Sequence, residues 1–136
     1  MLVGELGAEG VRFLPRLIAT DEGMTAAQRE KIYAQGGVVF LSARSLVTDL
    51  LQHRVPANAL QAVFVWRAHT VKVESLEALA LRLIRGLSSH VLVTAIADNA
   101  EAVSGQRAER LMRALTVREL VPVSYTHLTL PTTERV

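Results

Sequence analysis

The residues with the most chemical content lie along one apolar run and its exit, Val63-Phe64-Val65-Trp66-Arg67-Ala68-His69. An apolar strand that runs directly into two residues followed by Ala-His has the layout of a DEAH box. In such a box Asp and Glu precede the Ala-His. The Asp holds Mg²⁺ through its water shell, and the Glu orients or activates the attacking water. Here those two positions are Trp66 and Arg67. An indole cannot bind a hard cation and a guanidinium repels one. In that register Trp66, Arg67, Ala68 and His69 form a disabled box, and hydrolysis by it is excluded on chemical grounds. The same string admits a plain structural reading, in which Trp66 ends a buried strand, Arg67 points into water and His69 caps a loop.

Other chemistry finds no support. A nucleotide-hydrolysing site needs a phosphate cradle, and no G-x-x-x-x-G-K-[ST] occurs in the chain. Gly36-Gly37 lies between a helix and a strand, the wrong order for such a loop, and reads as a helix stop. Ser89-His90 has no G-x-S-x-G elbow and no placed acid, so a hydrolase triad is not expected. The four histidines, at 53, 69, 90 and 127, show no metal-ligand spacing. No catalytic residue, metal or cofactor is therefore expected within this chain.

The elements that position these residues follow from hydrophobic periodicity. Met24 to Gln35 predicts a helix, and Val38-Val39-Phe40-Leu41 a buried strand. Ser42 can cap a helix running to about Gln52, with Leu46, Val47, Leu50 and Leu51 on one face. Ala62 to Trp66 is a second strand. Ser75 can cap a helix carrying Leu76, Leu79, Ala80, Leu83 and Ile84 at helical spacing, with Gly86 as its stop. Val91 to Ile96 is a third strand, Arg107 to Leu115 a helix, and Val117 to Val121 a fourth strand. Strands apolar throughout need cover on both faces, and strands separated by helices connect in parallel. The fold class is thus α/β, a layered domain with a mostly parallel sheet.

Bulk properties set the frame. The chain has 136 residues, enough for one domain, and half of them (50%) are apolar, as in globular proteins. It has no cysteine, which removes disulfide scaffolds and thiolate zinc sites and makes an intracellular setting the default. The N-terminal Met1-Leu2-Val3-Gly4-Glu5 has no signal-peptide pattern, and no run approaches the roughly 18 apolar residues of a membrane span. A net charge of +2 and a pI near 9.5 permit contact with nucleic acid. The candidates for phosphate contact are Arg44 near a helix start, Arg82 and Arg85 off the apolar face of their helix, and Arg107, Arg110 and Arg113 along one side of the last helix. Each also reads as an ordinary solvated charge, and Glu101, Glu109 and Glu119 dilute the last stripe.

A resemblance accumulates over about residues 11–120. Tyr33-Ala-Gln-Gly-Gly-Val-Val-Phe40, Ser42-Ala-Arg-Ser-Leu-Val-Thr-Asp-Leu-Leu51 and Val65-Trp-Arg-Ala-His69 resemble, in order and spacing, successive blocks of the XPF family of DNA repair endonucleases. So do Glu77-Ala-Leu-Ala-Leu-Arg-Leu-Ile-Arg85, Ala97-Asp-Asn-Ala100 and Glu109-Arg-Leu-Met-Arg-Ala-Leu115. The resemblance implies a partial RecA-like sheet of the superfamily 2 helicase type with flanking helices, occupying residues 1–123, whose ATPase motifs are lost. Ala97, Asp98, Asn99 and Ala100 would then be a degenerate helicase motif III, the element that couples hydrolysis to strand movement. They also read as a strand-to-helix turn with Asp98 or Asn99 as N-cap.

The chain departs from the family after Leu120. An aromatic Trp-Pro-Arg-Phe-like block is replaced by Val121-Pro122-Val123, and residues 124–136 read as a non-native or disordered tail. The family's nuclease uses a Glu-Arg-Lys-x-x-x-Asp site with a divalent metal, Mg or Mn, far downstream. No such string occurs here: Glu109-Arg110 is followed by Leu111, and Glu30-Lys31 lacks the Arg between. Paired helix-hairpin-helix modules are absent too. The parent subunit is implied to be a single-strand-specific endonuclease of nucleotide excision repair. Its implied setting is the nucleus, with no membrane association. Its implied partners are DNA at single-strand/double-strand junctions, a noncatalytic heterodimer subunit bound through a region absent here, and a nuclease scaffold protein.

Three functions remain open at this point: a noncatalytic module that binds DNA junctions and scaffolds the nuclease, a protein-docking platform with little DNA contact, and a truncated active helicase. Unpaired apolar edges where flanking strands are missing further imply that the chain folds poorly alone.

Overall fold

Alternation of strand and helix is what the computed structural model shows over the residues it describes, 15–18 and 23–123. The expectation of a non-native tail at 124–136 lies outside them. Strand β1 (Arg16–Ile18) precedes helix α1 (Ala26–Gln35), strand β2 (Val39–Leu41) and helix α2 (Ala43–Leu51). Strand β3 (Ala62–Trp66), helix α3 (Leu76–Leu87), strand β4 (Leu92–Ile96) and helix α4 (Gly105–Leu115) follow. Short 3₁₀ turns occupy Ala68–Thr70 and Glu101–Val103.

Local chemistry fixes the helix ends. Thr25 and Gln28 form a reciprocal capping box at α1, the Gln28 amide donating to the Thr25 hydroxyl and the Thr25 amide to the Gln28 side chain. Gly36, at φ +75°, ends α1 as the sequence predicts. The Ser42 hydroxyl accepts from the Ser45 amide at 3.2 Å and caps α2, and that of Ser75 accepts from the Ala78 amide at 3.4 Å and caps α3. Gly86 is not the stop expected of it. Helix α3 continues to Leu87 and closes through the Ser88 amide, which donates to the Ile84 carbonyl at 2.9 Å.

Both strand pairs are parallel, in keeping with the helical connections between them. Arg16 pairs with Val39 and Ile18 with Leu41, while Ala62 pairs with Leu92 and Trp66 with Ile96. The strands nevertheless form two separate two-stranded sheets, β1-β2 and β3-β4, where the sequence suggested one sheet lacking only its flanks. The expected fourth strand at Val117–Val121 is irregular backbone. There the Val117 amide turns back to the Met112 carbonyl at 3.0 Å and closes α4, and residues 118–123 are exposed and pair with no described strand.

The core sits on one side of β3-β4, and α3 is its axis. Ala78 and Leu81 pack with Ala68, Val71, Val93, Leu111, Ala114 and Leu115. One helical step away, Ala80 and Ile84 pack with Val47, Leu50 and Val91. Because strand side chains alternate, Val63, Val65, Val93 and Ala95 meet the helices while their neighbours face the other way. On that other face Phe64 is 68% exposed, Trp66 72% and Leu92 62%. The expectation of cover on both faces is therefore corrected: the described residues cover β3 and β4 on one.

Candidate functional site

The end of β3 delivers Trp66 and Arg67 to the surface, and a sharp backbone change then brings the next two residues back inside. Arg67 adopts a left-handed conformation (φ 50°, ψ 49°), uncommon for a residue with a side chain. Its carbonyl accepts from the Thr70 hydroxyl at 2.8 Å and from the Thr70 amide at 3.0 Å, which holds the turn. Ala68 is buried and His69 nearly so. Arg67 stands in water as the structural reading expected, but Trp66 does not end a buried strand: its indole lies on the uncovered face.

Parallel pairing of β3 with β4 sets the turn after Trp66 beside the turn after Ile96. His69 Nδ1 consequently lies 3.3 Å from Asp98 Oδ1. That distance suits an ion pair when the imidazole is protonated. The contact lacks hydrogen-bond geometry, so Nδ1 is a buried nitrogen without a hydrogen-bond partner. Asn99 is the capping residue of the pair, its Oδ1 accepting from the amides of Glu101 (3.1 Å) and Ala102 (3.3 Å). It caps the 3₁₀ turn before α4, while Asp98 faces His69. Ala97 and Ala100 are exposed on either side. The two blocks singled out in the sequence thus meet in space.

Among the described residues no three His, Cys, Asp or Glu side chains converge as a metal site. The residues at the end of β3 do not fit a hydrated Mg²⁺, with an indole and a guanidinium where carboxylates would be required. Glu30 and Glu109 each lie on an exposed helix face, and neither has converging acids among the described residues.

The six arginines have different surroundings. Arg44, Arg107 and Arg110 are exposed on α2 and α4. Arg82 is exposed and donates to the Val73 carbonyl at 3.1 Å, and Arg113 pairs with Glu109 at 2.9 Å one turn away. Arg85 has the most enclosed surroundings of the six. It is half-buried and donates to the carbonyls of Ser89 (3.2 Å), Val91 (2.6 Å) and Thr116 (3.4 Å) and to the Thr116 hydroxyl (3.2 Å). It ties the end of α3 to β4 and α4 through these four bonds.

The strongest polar cluster was not anticipated. Asp49 is 0% exposed in α2, and Arg29 of α1 grips it bidentately, Nε and Nη2 each donating at 2.7 Å, while the Tyr33 hydroxyl donates at 2.6 Å. Burial alone would push the Asp49 carboxyl up, but the hydrogen bonds from Arg29 and Tyr33 outweigh it and hold the group below the usual carboxylate range. Burial and the bond to Asp49 raise the Tyr33 hydroxyl above its ordinary value, and the bond to Asp49 raises the Arg29 guanidinium likewise. The available signal was Asp49 itself, a carboxylate set among Leu46, Val47 and Leu50 of a buried helix face, where it requires a cationic partner.

No family model matches the chain. Among curated proteins it is similar to the DNA repair endonuclease XPF of Cricetulus griseus, 37% identical over 120 residues that make up 87% of this chain and 13% of that protein. It is 41% identical to the DNA repair endonuclease XPF of Drosophila melanogaster over 98 residues, 71% of this chain and 10% of that protein. A plant relative, the DNA repair endonuclease UVH1 of Arabidopsis thaliana, is 36% identical over 99 residues, again 71% of this chain and 10% of its own length. The chain thus spans little more than a tenth of the curated relatives it matches. With similarity at this level across most of its residues, the chain belongs to the XPF family of DNA repair endonucleases.

Proposed function

We propose that this chain is the noncatalytic, helicase-like portion of a structure-specific DNA endonuclease subunit acting in nucleotide excision repair, where it binds DNA junctions and scaffolds the nuclease. The observation that carries this reading is the end of β3. A strand-turn of nucleotide-hydrolase layout presents Trp66 and Arg67 where carboxylates would work, and Ala68-His69 packs back against Asp98. Parallel strands joined by helices support a partial RecA-like sheet. The endonuclease names of the relatives support the parent activity. The proposal adds Mg or Mn at a nuclease centre elsewhere in the polypeptide, a heterodimer partner bound outside this region, and action in the nucleus.

Phosphate contact is assigned to Arg44, Arg82, Arg85, Arg107, Arg110 and Arg113. A complete subunit carrying Arg107→Ala and Arg110→Ala is expected to bind forked DNA more weakly. The slope of log affinity against log salt should fall by about one for each phosphate that is no longer neutralised. An unchanged slope in fluorescence anisotropy titrations would sink the role of these arginines. The complete subunit is also expected to show no DNA-stimulated ATP hydrolysis dependent on this region. Hydrolysis abolished by substitutions at Trp66 or Arg67 would instead favour the truncated-helicase reading. A protein-docking platform is the second reading, favoured by the bare apolar face carrying Phe64, Trp66 and Leu92. DNA affinity unchanged by all six arginine substitutions would point to it.

A further inference from the structure

Among the described residues three that are not glycine hold a positive φ: His53, Arg67 and Thr116. His53 follows the last turn of α2 and Thr116 that of α4, where a left-handed residue is an ordinary way to end a helix. Arg67 ends no helix; it follows a strand, at φ 50° and ψ 49°. Glycine or asparagine takes that conformation at lower cost. The arginine side chain returns nothing locally, since it is exposed and makes no ion pair among the described residues. Backbone strain kept under an exposed charge points to function, because packing does not require it.

Position selects the ligand. Arg67 stands at the carboxyl ends of the parallel strands β3 and β4, the side on which open α/β sheets bind their ligands. It lies outside the cleft that separates β2 from β3, whose β3 wall ends at Trp66. The turn it opens is seated on α4, where Ala68 packs in one cluster with Leu111, Ala114 and Leu115. Two bonds from Thr70 to the Arg67 carbonyl keep that turn in place. Helix α4 follows β4 from the same edge, and Arg107 and Arg110 are exposed along its first two turns. Of the acids between Asp98 and Arg110, Asp98 lies 3.3 Å from His69 and Glu109 pairs with Arg113 at 2.9 Å. Glu101 is then left against Arg67, Arg107 and Arg110. Such an edge attracts an anion with more than one charged group, and a guanidinium meets a phosphodiester through two parallel N–H donors.

We propose that Arg67 is a DNA-phosphate contact that carries the arginine stripe of α4 across the turn at the end of β3, making one continuous track for a DNA backbone. The residue that disqualifies this strand end from holding Mg²⁺ is then the one that receives a phosphate. The inference rests on the DNA-binding reading given above and adds to it a residue that lies on no helix.

The test compares Arg67→Gly and Arg67→Lys in the complete subunit, by fluorescence anisotropy with forked DNA and by thermal unfolding. Glycine relieves the backbone and removes the charge, so the two readouts should part. The unfolding midpoint is expected to stay or rise. Affinity at about 0.1 M salt is expected to fall roughly three- to ten-fold, and the slope of log affinity against log salt by about one. Arg67→Lys should keep the slope. An unchanged slope in Arg67→Gly, in a subunit whose slope does fall with Arg107→Ala and Arg110→Ala, would overturn this inference and leave the DNA-binding reading intact. A slope that falls with none of these variants would sink both. A lowered unfolding midpoint in Arg67→Gly would overturn the inference by making the residue structural. Labelled ATP that binds the unsubstituted subunit and is lost in Arg67→Gly would place a free nucleotide here, and would overturn it as well.

Discussion

Asp49→Ala is expected to destabilise the domain by about 3 kcal/mol, a large fraction of the roughly 5–15 kcal/mol that holds a domain together. The change leaves Arg29 and Tyr33 facing a site built for a carboxylate. The loss belongs at the lower end of the range for a broken buried pair because Arg29 keeps 16% of its side chain in water. Asp49→Asn is expected to retain part of this, since an amide can still accept one hydrogen bond but carries no charge. Urea unfolding of Asp49→Ala, Arg29→Ala and the double variant would measure the coupling; strictly additive losses would show that these two groups do not act together. The pH dependence has two sides. Asp49, held below its ordinary 3.8, contributes stability that is present above pH 3.8 and lost as pH falls through its depressed value. Tyr33, raised above its ordinary 10.0, contributes stability present below pH 10.0 and lost as pH climbs towards its raised value.

Ile84→Ala is expected to cost about 2–5 kcal/mol, the range for truncating a buried aliphatic side chain. Ile84 is 0% exposed and lies where α2, α3 and the entry to β4 meet, against Val47, Leu50 and Val91. The space it vacates is walled by helices fixed elsewhere, α2 through Asp49 and α3 through Ser75 and Arg85, so little collapse can refill it. Ile84→Val should cost only about 0.5–1.5 kcal/mol, and Arg44→Ala, on the surface, stays within about 0.5 kcal/mol. The denaturant midpoint at constant slope is the measurement. A loss for Ile84→Ala no larger than that for Arg44→Ala would mean that α3 is not the axis of the core.

What could be read from residues alone was local. Ser42 and Ser75 announced their helices because a hydroxyl before an apolar period satisfies amides that have no other partner. The run Ala62–Trp66 was legible as a strand to the residue, and so, nearly, was Leu92–Ile96. The strand at Arg16–Ile18 escaped because three residues give no period to detect; it exists through its register with Val39–Leu41. Val117–Val121 failed in the opposite sense, with strand-like composition but its first amide bonded back to the Met112 carbonyl at the end of α4. Phe64 and Trp66 read as buried because an apolar run does not say which of its faces a helix covers. At the candidate site, Trp66-Arg67-Ala68-His69 and Ala97-Asp98-Asn99-Ala100 were each visible, but their contact required the pairing of β3 with β4. Arg29 and Asp49, twenty residues apart, share no sequence signal beyond an unexplained carboxylate in a greasy helix face.

Trp66 is the chain's only tryptophan, and it stands 72% exposed beside the cleft. Its emission therefore resembles that of an indole in water whether α3 and the core are intact or melted, so a fluorescence melt would understate unfolding. The same indole would shift to the blue and resist aqueous quenchers once an apolar segment covers it. The position that cannot hold a metal ion thus serves as a spectroscopic monitor of whether the open face of β3 is covered.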